Sequence, residues 1–325
     1  MTVRVTGATG CTGGHLARYL ATRGDTVRAL VRDPARAASL PADIQRVQGD
    51  LRDADSLRHA MTGCDVVYNI AALYREAGLP ATEYRAVNAT AVGTLIDLAK
   101  VTGVRRVVHC STVGVHGDIE HPPADEDAPL RPGDVYQETK VEGERIGREA
   151  AARTGVELVI ARPTGIYGEG DRRLFKIFGK IAQRRFVMLG SGRNYYHVTH
   201  VEDLAEGFHL CGTVPAAAGR TYIVGGGEVP TLAELVARTA KVAGVPPPRL
   251  RLPVWPFWLA GAACEAVCAP FGIAPPIYRR RVDFFRKSRA FDISRARRDL
   301  GFAPEVPIRE GIRRTLEWYR EHRWI

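Results

Sequence analysis

Three glycines at fixed spacing directly behind a short apolar strand restrict the fold of this chain more than any other stretch. Val3 and Val5 alternate with polar neighbours and predict a buried strand. Gly7, Gly10 and Gly13 follow at TGxxGxxG spacing, with Thr9, Cys11 and Thr12 between them, and Leu16, Tyr19 and Leu20 open a helical stripe. Strand, glycine turn and helix in this order form a cradle for the pyrophosphate of a dinucleotide. Glycine lets the backbone turn tightly and approach the phosphates, and the helix N-terminus presents free N–H groups and a partial positive charge.

The rest of the first half alternates in the same way. Strand patterns at Thr26–Val31, Asp43–Gly49, Asp65–Ile70, Arg106–Ser111 and Val156–Ala161 are interleaved with helical patterns at about Glu83–Val101 and Val135–Arg153. Such alternation predicts an α/β fold, a Rossmann-type doubly wound parallel sheet that binds its ligands at the carboxyl ends of the strands. After Pro163 the elements shorten. Helices are predicted near Leu174–Arg184, Val201–Cys211, Leu232–Val242, Trp258–Cys268, Ser294–Leu300 and Arg309–His322, and strands near Phe186–Leu189, Tyr196–Thr199 and Thr221–Val224. The chain therefore divides into a dinucleotide-binding domain, residues 1–162 with about 198–227, and a smaller interleaved substrate-binding lid domain, about 163–197 and 228–325.

Composition narrows the partners. A chain of 325 residues buries a sizeable core. Its six cysteines (11, 64, 110, 211, 264 and 268) contain no CxxC pair, which reads as reduced thiols and no metal site. The net charge of +10 favours anions in general, but no nucleic-acid-binding signature accompanies it. The first strand begins without a leader, so a cytoplasmic protein is expected. The apolar stretch Leu252–Ile273 is broken by Pro253, Pro256 and Pro270 and contains Glu265. It is too interrupted to span a membrane and predicts a short apolar helix packed on the substrate side, with weak contact to a membrane surface as the lesser reading.

Tyr136 and Lys140 stand four residues apart, on one face of the predicted helix Val135–Arg153. A neighbouring ammonium lowers the pKa of a phenol, which then exchanges a proton with a substrate hydroxyl or carbonyl while hydride moves to or from a nicotinamide. Ser111 and Thr112 close the strand just before, where a hydroxyl reaches the same substrate oxygen.

These features together resemble the extended short-chain dehydrogenase/reductase family, which includes nucleotide-sugar epimerases and dehydratases. The resemblance runs through Thr6-Gly-Ala-Thr-Gly-Cys-Thr-Gly-Gly, Gly49-Asp-Leu-Arg, Asn69-Ile-Ala-Ala, Ser111-Thr-Val-Gly-Val-His-Gly, Tyr136-x-x-x-Lys140 and Arg162-Pro-Thr-Gly-Ile-Tyr-Gly, and continues to Phe291-Asp-Ile-Ser near the end. It implies Tyr136 as acid/base, Lys140 on the nicotinamide ribose and Thr112 as the catalytic hydroxyl. It also implies Asp50 and Leu51 at the adenine, and Ala71, Ala72, Asn88, Ser111, Pro163 and Ile166 around the cofactor. His116 stands where the family has a tyrosine.

An acidic residue ends the second strand in NAD-specific members, to hold the ribose 2′-hydroxyl. Here Val31 is followed by Arg32, which grips a 2′-phosphate, so NADP is expected ahead of NAD. The segment Gly190-Ser-Gly-Arg-Asn-Tyr-Tyr places Tyr196 where sugar-nucleotide members carry a diphosphate-binding arginine, although Arg281 falls near a second such position. The tail resembles the 3β-hydroxysteroid dehydrogenase branch, and Val27-Arg-Ala-Leu-Val-Arg-Asp-Pro the dihydroflavonol reductase branch. The leading expectation is an alcohol/ketone oxidoreductase for a bulky small molecule, with Tyr74, Val113, Asn194, Tyr196 and Arg281 as candidate substrate contacts. A nucleotide-sugar epimerase or dehydratase with tightly held NAD is the alternative. A non-catalytic dinucleotide-binding regulator is the third, and the Tyr–Lys pair speaks against it. The resemblance implies a homodimer.

Overall fold

The computed structural model describes residues 1–74, 76, 78–271 and 279–325; the side chains of residues 36, 269, 280 and 281 also fall outside that description. In chain order the strands are β1 (Thr2–Thr6), β2 (Thr26–Val31), β3 (Gln45–Gln48), β4 (Val66–Asn69), β5 (Arg106–Cys110), β6 (Glu157–Pro163), β7 (Gly165–Tyr167), β8 (Met188–Leu189), β9 (Val198–His200), β10 (Thr221–Val224) and β11 (Arg251–Leu252). The helices are α1 (Cys11–Thr22), α2 (Ala54–Met61), α3 (Ala81–Arg85), α4 (Ala91–Thr102), α5 (Val135–Thr154), α6 (Phe175–Ala182), α7 (Val201–Thr213), α8 (Leu232–Ala243), α9 (Trp255–Cys268), α10 (Arg279–Asp283), α11 (Ser294–Leu300) and α12 (Ile308–Glu321).

Seven parallel strands form the main sheet in the order β10-β6-β5-β4-β1-β2-β3. The order reverses beside β1, which leaves the crevice expected of a doubly wound sheet. One face is covered by α1 and α7 through Leu16, Leu20, Leu204 and Phe208, and the other by α2, α4 and α5 through Leu57, Met61, Leu95, Ile96 and Ala150. Buried on both faces, β4 and the middle of β5 read as short apolar runs, as parallel strands do, whereas β1 alternates and buries Arg4 and Thr6 beside its valines. A third cluster joins α6, α8 and α12 around Phe178, Leu235, Ile312 and Leu316.

The structure departs from the sequence expectations in several elements. The helix α2 and the short strands β7 and β11 escaped the pattern. The signal for α2 is Asp53, whose carboxylate caps the N–H of Asp55. The predicted helix Glu83–Val101 contains a π-turn at Ala86–Thr90, between α3 and α4. It lies where α5 comes closest: a Cβ at Gly143 would stand 2.3 Å from the carbonyl oxygen of Asn88. Finally, α9 begins at Trp255 and is not packed as expected: Gly261 is the one buried residue among those described in it. No helix of the described residues is long and apolar enough to cross a membrane.

A buried ion pair joins α5 to the sheet. Arg162, at the end of β6, donates from Nε to Glu144 Oε1 at 2.9 Å and from Nη2 to Oε2 at 2.6 Å. Ser111 Oγ donates to Oε1 at 2.6 Å, and Arg148 adds a bond at 3.1 Å. Burial pushes the Glu144 carboxyl up, but the bonds and charge of Arg162, with Ser111 and Arg148, outweigh it and hold the group below its ordinary value. A depressed carboxyl stabilises the fold above its unfolded pKa, about 4.3, and loses that contribution as pH falls through the folded value. Glu144→Gln leaves Arg162 buried without its charge partner and is expected to cost about 3 kcal/mol at neutral pH. It should also flatten the acid limb of stability against pH. Urea denaturation across pH 3 to 7 checks both; a variant within about 1 kcal/mol of wild type, with the acid limb intact, would show that the pair contributes little.

Candidate active site

The glycine turn sits at the carboxyl end of β1, against the loop that leaves β4. Gly7 has φ +70°, and a Cβ there would stand 2.9 Å from the backbone of Ala71. A Cβ on Gly13 would stand 2.3 Å from the carbonyl oxygen of Gly7, so only glycine allows α1 to start this close to the turn. Gly10 caps α1 without a side-chain bond, and the first turn carries no acidic residue. The positive end of α1 is therefore left to a ligand, with Thr9 and Gly10 exposed and Cys11 and Thr12 half-buried around it. Burial pushes the Cys11 thiol up to about 12, so it stays protonated beside Glu169. These residues fit the pyrophosphate of a dinucleotide.

The residues expected at the adenosine end lie behind β2 and β3. Arg32 follows β2 and is exposed, and Asp33 is spent locally, its carboxylate accepting the N–H of Ala35 at 2.9 Å. Asp50 is held by Arg52, Nε to Oδ1 at 3.0 Å and Nη2 to Oδ2 at 2.8 Å, and the bonds of Arg52 lower its carboxyl. Leu51 is buried in the core below. Ala72 is exposed beside half-buried Ala71. Asn88 brackets this loop: its amide accepts the N–H of Leu73 at 2.9 Å and donates to the carbonyl of Leu73 and to Thr139 Oγ1. It thereby fixes the loop against α5.

Asp134 caps α5 through the N–H of Gln137, which aims the first turn, with Tyr136, at the end of β5. Lys140 is fully buried, and its Nζ donates to the carbonyl of Cys110 at 2.5 Å. Burial pushes its ammonium below the ordinary value, with Cys110 and Glu144 acting against that shift. Thr112 accepts the N–H of Gly114 at 3.0 Å and remains half-buried at the strand end. Ser111 is buried and bonded to Glu144, so the two hydroxyls have separate partners: Ser111 meets the ion pair and Thr112 caps the turn that follows.

Beneath Lys140 runs a polar thread that the sequence did not reveal. Thr6 Oγ1 accepts the N–H groups of Ile70 and Ala71, both at 3.0 Å, so its own proton goes to Asn69 Oδ1, also 3.0 Å away. The amide nitrogen of Asn69 then donates to Nδ1 of His109 at 3.2 Å. That assignment places the ring proton on Nε2, which faces Lys140 Nζ at 3.4 Å. Burial, then Lys140 and Arg148, hold His109 well below its ordinary pKa, so the ring is neutral. An N–H aimed at an ammonium disfavours the ammonium, so His109 opposes the charge on Lys140.

Tyr74, Tyr136 and Tyr196 belong to the opening above. Tyr74 meets Tyr136 edge-on with ring centroids 4.9 Å apart, and Arg173, held by Asp171, lies over Tyr74 at 5.8 Å. Tyr196 packs on Phe284 at 4.9 Å and touches Gly165. Arg173 is a further site residue that sequence reasoning missed; one of two consecutive arginines after Asp171, it carried no pattern. The other substrate candidates are not gathered here. Val113 is buried in the core, and Asn194 is buried with its amide on the carbonyls of Phe284 and Lys287, at 3.0 and 3.4 Å, so it fastens a loop. The side chain of Arg281 lies outside the described residues. Pro163 ends β6, buried beside Val224, and Ile166 is half-buried in β7. Among the described residues no group of three or more His, Cys, Asp or Glu is placed to hold a metal ion.

A model of the NAD dependent epimerase/dehydratase family matches residues 3–225. The chain is 29% identical over 347 residues to 3beta-hydroxysteroid-dehydrogenase/decarboxylase isoform 2 of Arabidopsis thaliana, covering 96% of this chain and 61% of that protein. It is 30% identical over 338 residues to 3 beta-hydroxysteroid dehydrogenase/Delta 5-->4-isomerase of Mycobacterium tuberculosis, covering 98% of this chain and 90% of the relative. Among solved structures, MoeE5 in complex with UDP-glucuronic acid and NAD superposes with a TM-score of 0.77 at 27% identity, over 99% of this chain and all of that one.

His109→Phe removes the opposing N–H under Lys140 while filling the same buried space. The alkaline limb of the pH–rate profile should move to higher pH, with dinucleotide affinity little changed. An unmoved profile would show that the ring does not set the charge of Lys140.

Proposed function

The chain belongs to the NAD dependent epimerase/dehydratase family, and on that premise we propose an NADP-dependent oxidoreductase that interconverts a secondary alcohol and a ketone on a bulky small molecule of the hydroxysteroid or dihydroflavonol kind. The observation that carries the chemistry is the α5 pair, with the ammonium of Lys140 pinned on Cys110 one turn from Tyr136. When bound, the dinucleotide supplies or accepts the hydride. Tyr136 gives its phenolic proton to the carbonyl oxygen in reduction and takes it back in oxidation. Lys140 stabilises the phenolate that results, and Thr112 donates a hydrogen bond to the same oxygen.

The apolar substrate class is supported by Tyr196, which stands where a diphosphate-binding arginine would be and packs on Phe284, and by the hydroxysteroid dehydrogenases among the relatives. NADP is supported by exposed Arg32 and by Asp33, whose carboxylate is committed to its own turn. The second reading, a nucleotide-sugar epimerase or dehydratase with captive NAD, is favoured by the likeness to MoeE5 bound to UDP-glucuronic acid and NAD.

Tyr136→Phe is expected to lower turnover by about a hundredfold or more with dinucleotide binding nearly intact; a rate near wild type would remove the tyrosine from the reaction. Arg32→Asp should weaken NADPH by roughly tenfold and leave NADH almost unchanged. Equal effects on both would return the ribose to another residue. Mass spectrometry of the dinucleotide released on denaturation separates the two readings: stoichiometric NAD⁺ favours the epimerase or dehydratase, and an empty site that prefers NADPH favours the oxidoreductase.

A further inference from the structure

Helix α9 has its polarity the wrong way round for a helix bathed in water. Most of its exposed residues run at helical spacing, Trp255, Leu259, Ala263, Ala266 and Val267, with Phe257 and Ala260 exposed beside them, and Phe271 extends the stripe past the helix end. Trp255 and Val267 are each 66% exposed and Phe271 is 73% exposed. The single charged side chain of α9, Glu265, is turned toward the protein instead, where Arg279 donates to its Oε2 from Nε at 2.6 Å and to its Oε1 from the backbone at 2.8 Å. Trp258, on the inner side, has the guanidiniums of Arg279 and Arg286 over its ring at 5.7 and 5.6 Å. Ordinary surface helices show the reverse arrangement, and a contiguous exposed apolar face marks a docking surface.

The charge around the helix identifies its occupant. Residues 249–289 carry eight arginines and lysines against two carboxylates, Glu265 and Asp283, so most of the chain's net +10 sits in this segment. Arg249 and Arg251 are exposed directly ahead of α9, on and beside β11. The pairing of β11 with β8 sets a second exposed apolar pair, Val187 and Leu250, next to them. A second copy of this chain is a poor occupant, because a two-fold contact through this face would set its cations against themselves. An anionic bilayer satisfies both features at once. Its acyl boundary takes Trp255, Leu259 and Phe271, and its headgroups pair with the flanking arginines.

We propose that α9 lies in the headgroup layer of anionic membranes and docks this protein on the bilayer surface. The apolar stripe supplies insertion and the arginines supply selectivity for negative lipid.

Co-sedimentation of the full chain with vesicles tests this directly. Vesicles of phosphatidylcholine with phosphatidylglycerol should pull the protein down, and vesicles of phosphatidylcholine alone should bind it at least about tenfold more weakly. Arg249→Gln with Arg251→Gln should weaken binding to the anionic vesicles by roughly tenfold or more. The triple variant Trp255→Ser, Leu259→Ser and Phe271→Ser changes exposed positions and should lose vesicle binding while keeping its dinucleotide affinity and its unfolding transition. Three outcomes overturn the proposal. One is no sedimentation of the wild type with anionic vesicles. Another is a triple variant that binds vesicles as well as wild type, which would reduce the attraction to charge alone. The last is wild type that ignores vesicles but self-associates with rising concentration, an association lost in the triple variant, which would make this face a contact between copies.

Discussion

The site depends on how α5 is seated against the carboxyl ends of β5 and β6. Two buried contacts hold it one turn apart, Lys140 on the carbonyl of Cys110 and Glu144 on Arg162. Both place a charge where water cannot solvate it, and each is tolerable only because the partner's geometry is fixed by the sheet. Since Arg162 closes β6 and Ser111 closes β5, the same carboxylate ties together the two strand ends that frame the crevice. A shift of α5 along its axis would pull Lys140 off the carbonyl of Cys110 and would also strand a buried ion. The glycines of α5 permit this seating: at Gly143 the helix presses on the π-turn of its neighbour, where Asn88 sits.

The thread from Thr6 to Lys140 extends the same logic across the sheet. It starts at the backbone behind the glycine turn, crosses β4 through Asn69, and reaches β5 at His109. Every donor along it has an acceptor until Nε2 of His109 meets Lys140. The mismatch falls under Lys140, the residue whose charge the proposed chemistry uses. Buried polar networks are costly unless fully satisfied, and this one leaves its imbalance at a functional side chain.

The C-terminal part follows a different rule. Its core around Phe178, Leu235 and Leu316 is ordinary, yet it presents aromatic groups in two directions. Tyr196 and Phe284 pack on each other against that core, whereas Trp255 and Phe271 are exposed on and beyond α9. Sequence alone favoured the substrate side for the Trp- and Phe-rich stretch, with contact to a membrane surface as the lesser reading. Apolar content does not distinguish a pocket wall from an exposed face, because both present the same side chains; the inward turn of Glu265 toward Arg279 made the distinction.

Periodicity and glycine spacing determined the doubly wound sheet, the phosphate turn and the Tyr136–Lys140 pair, because each is a local feature: a strand reads in steps of two, a helix in steps of three and four, and a tight turn needs glycine. Strands β2 and β10 and helix α11 lie at the residues the pattern predicts. Tertiary structure alone decided which polar groups meet. His109, Arg173 and Glu144 carried no pattern that singled them out in the sequence. Asn194 and Val113 looked like substrate contacts until the fold buried them. For His109, Glu144 and Asn194 the partners that decide this lie between 18 and 93 residues away, and contact across such separations is set by packing of the folded chain and leaves no period in the sequence.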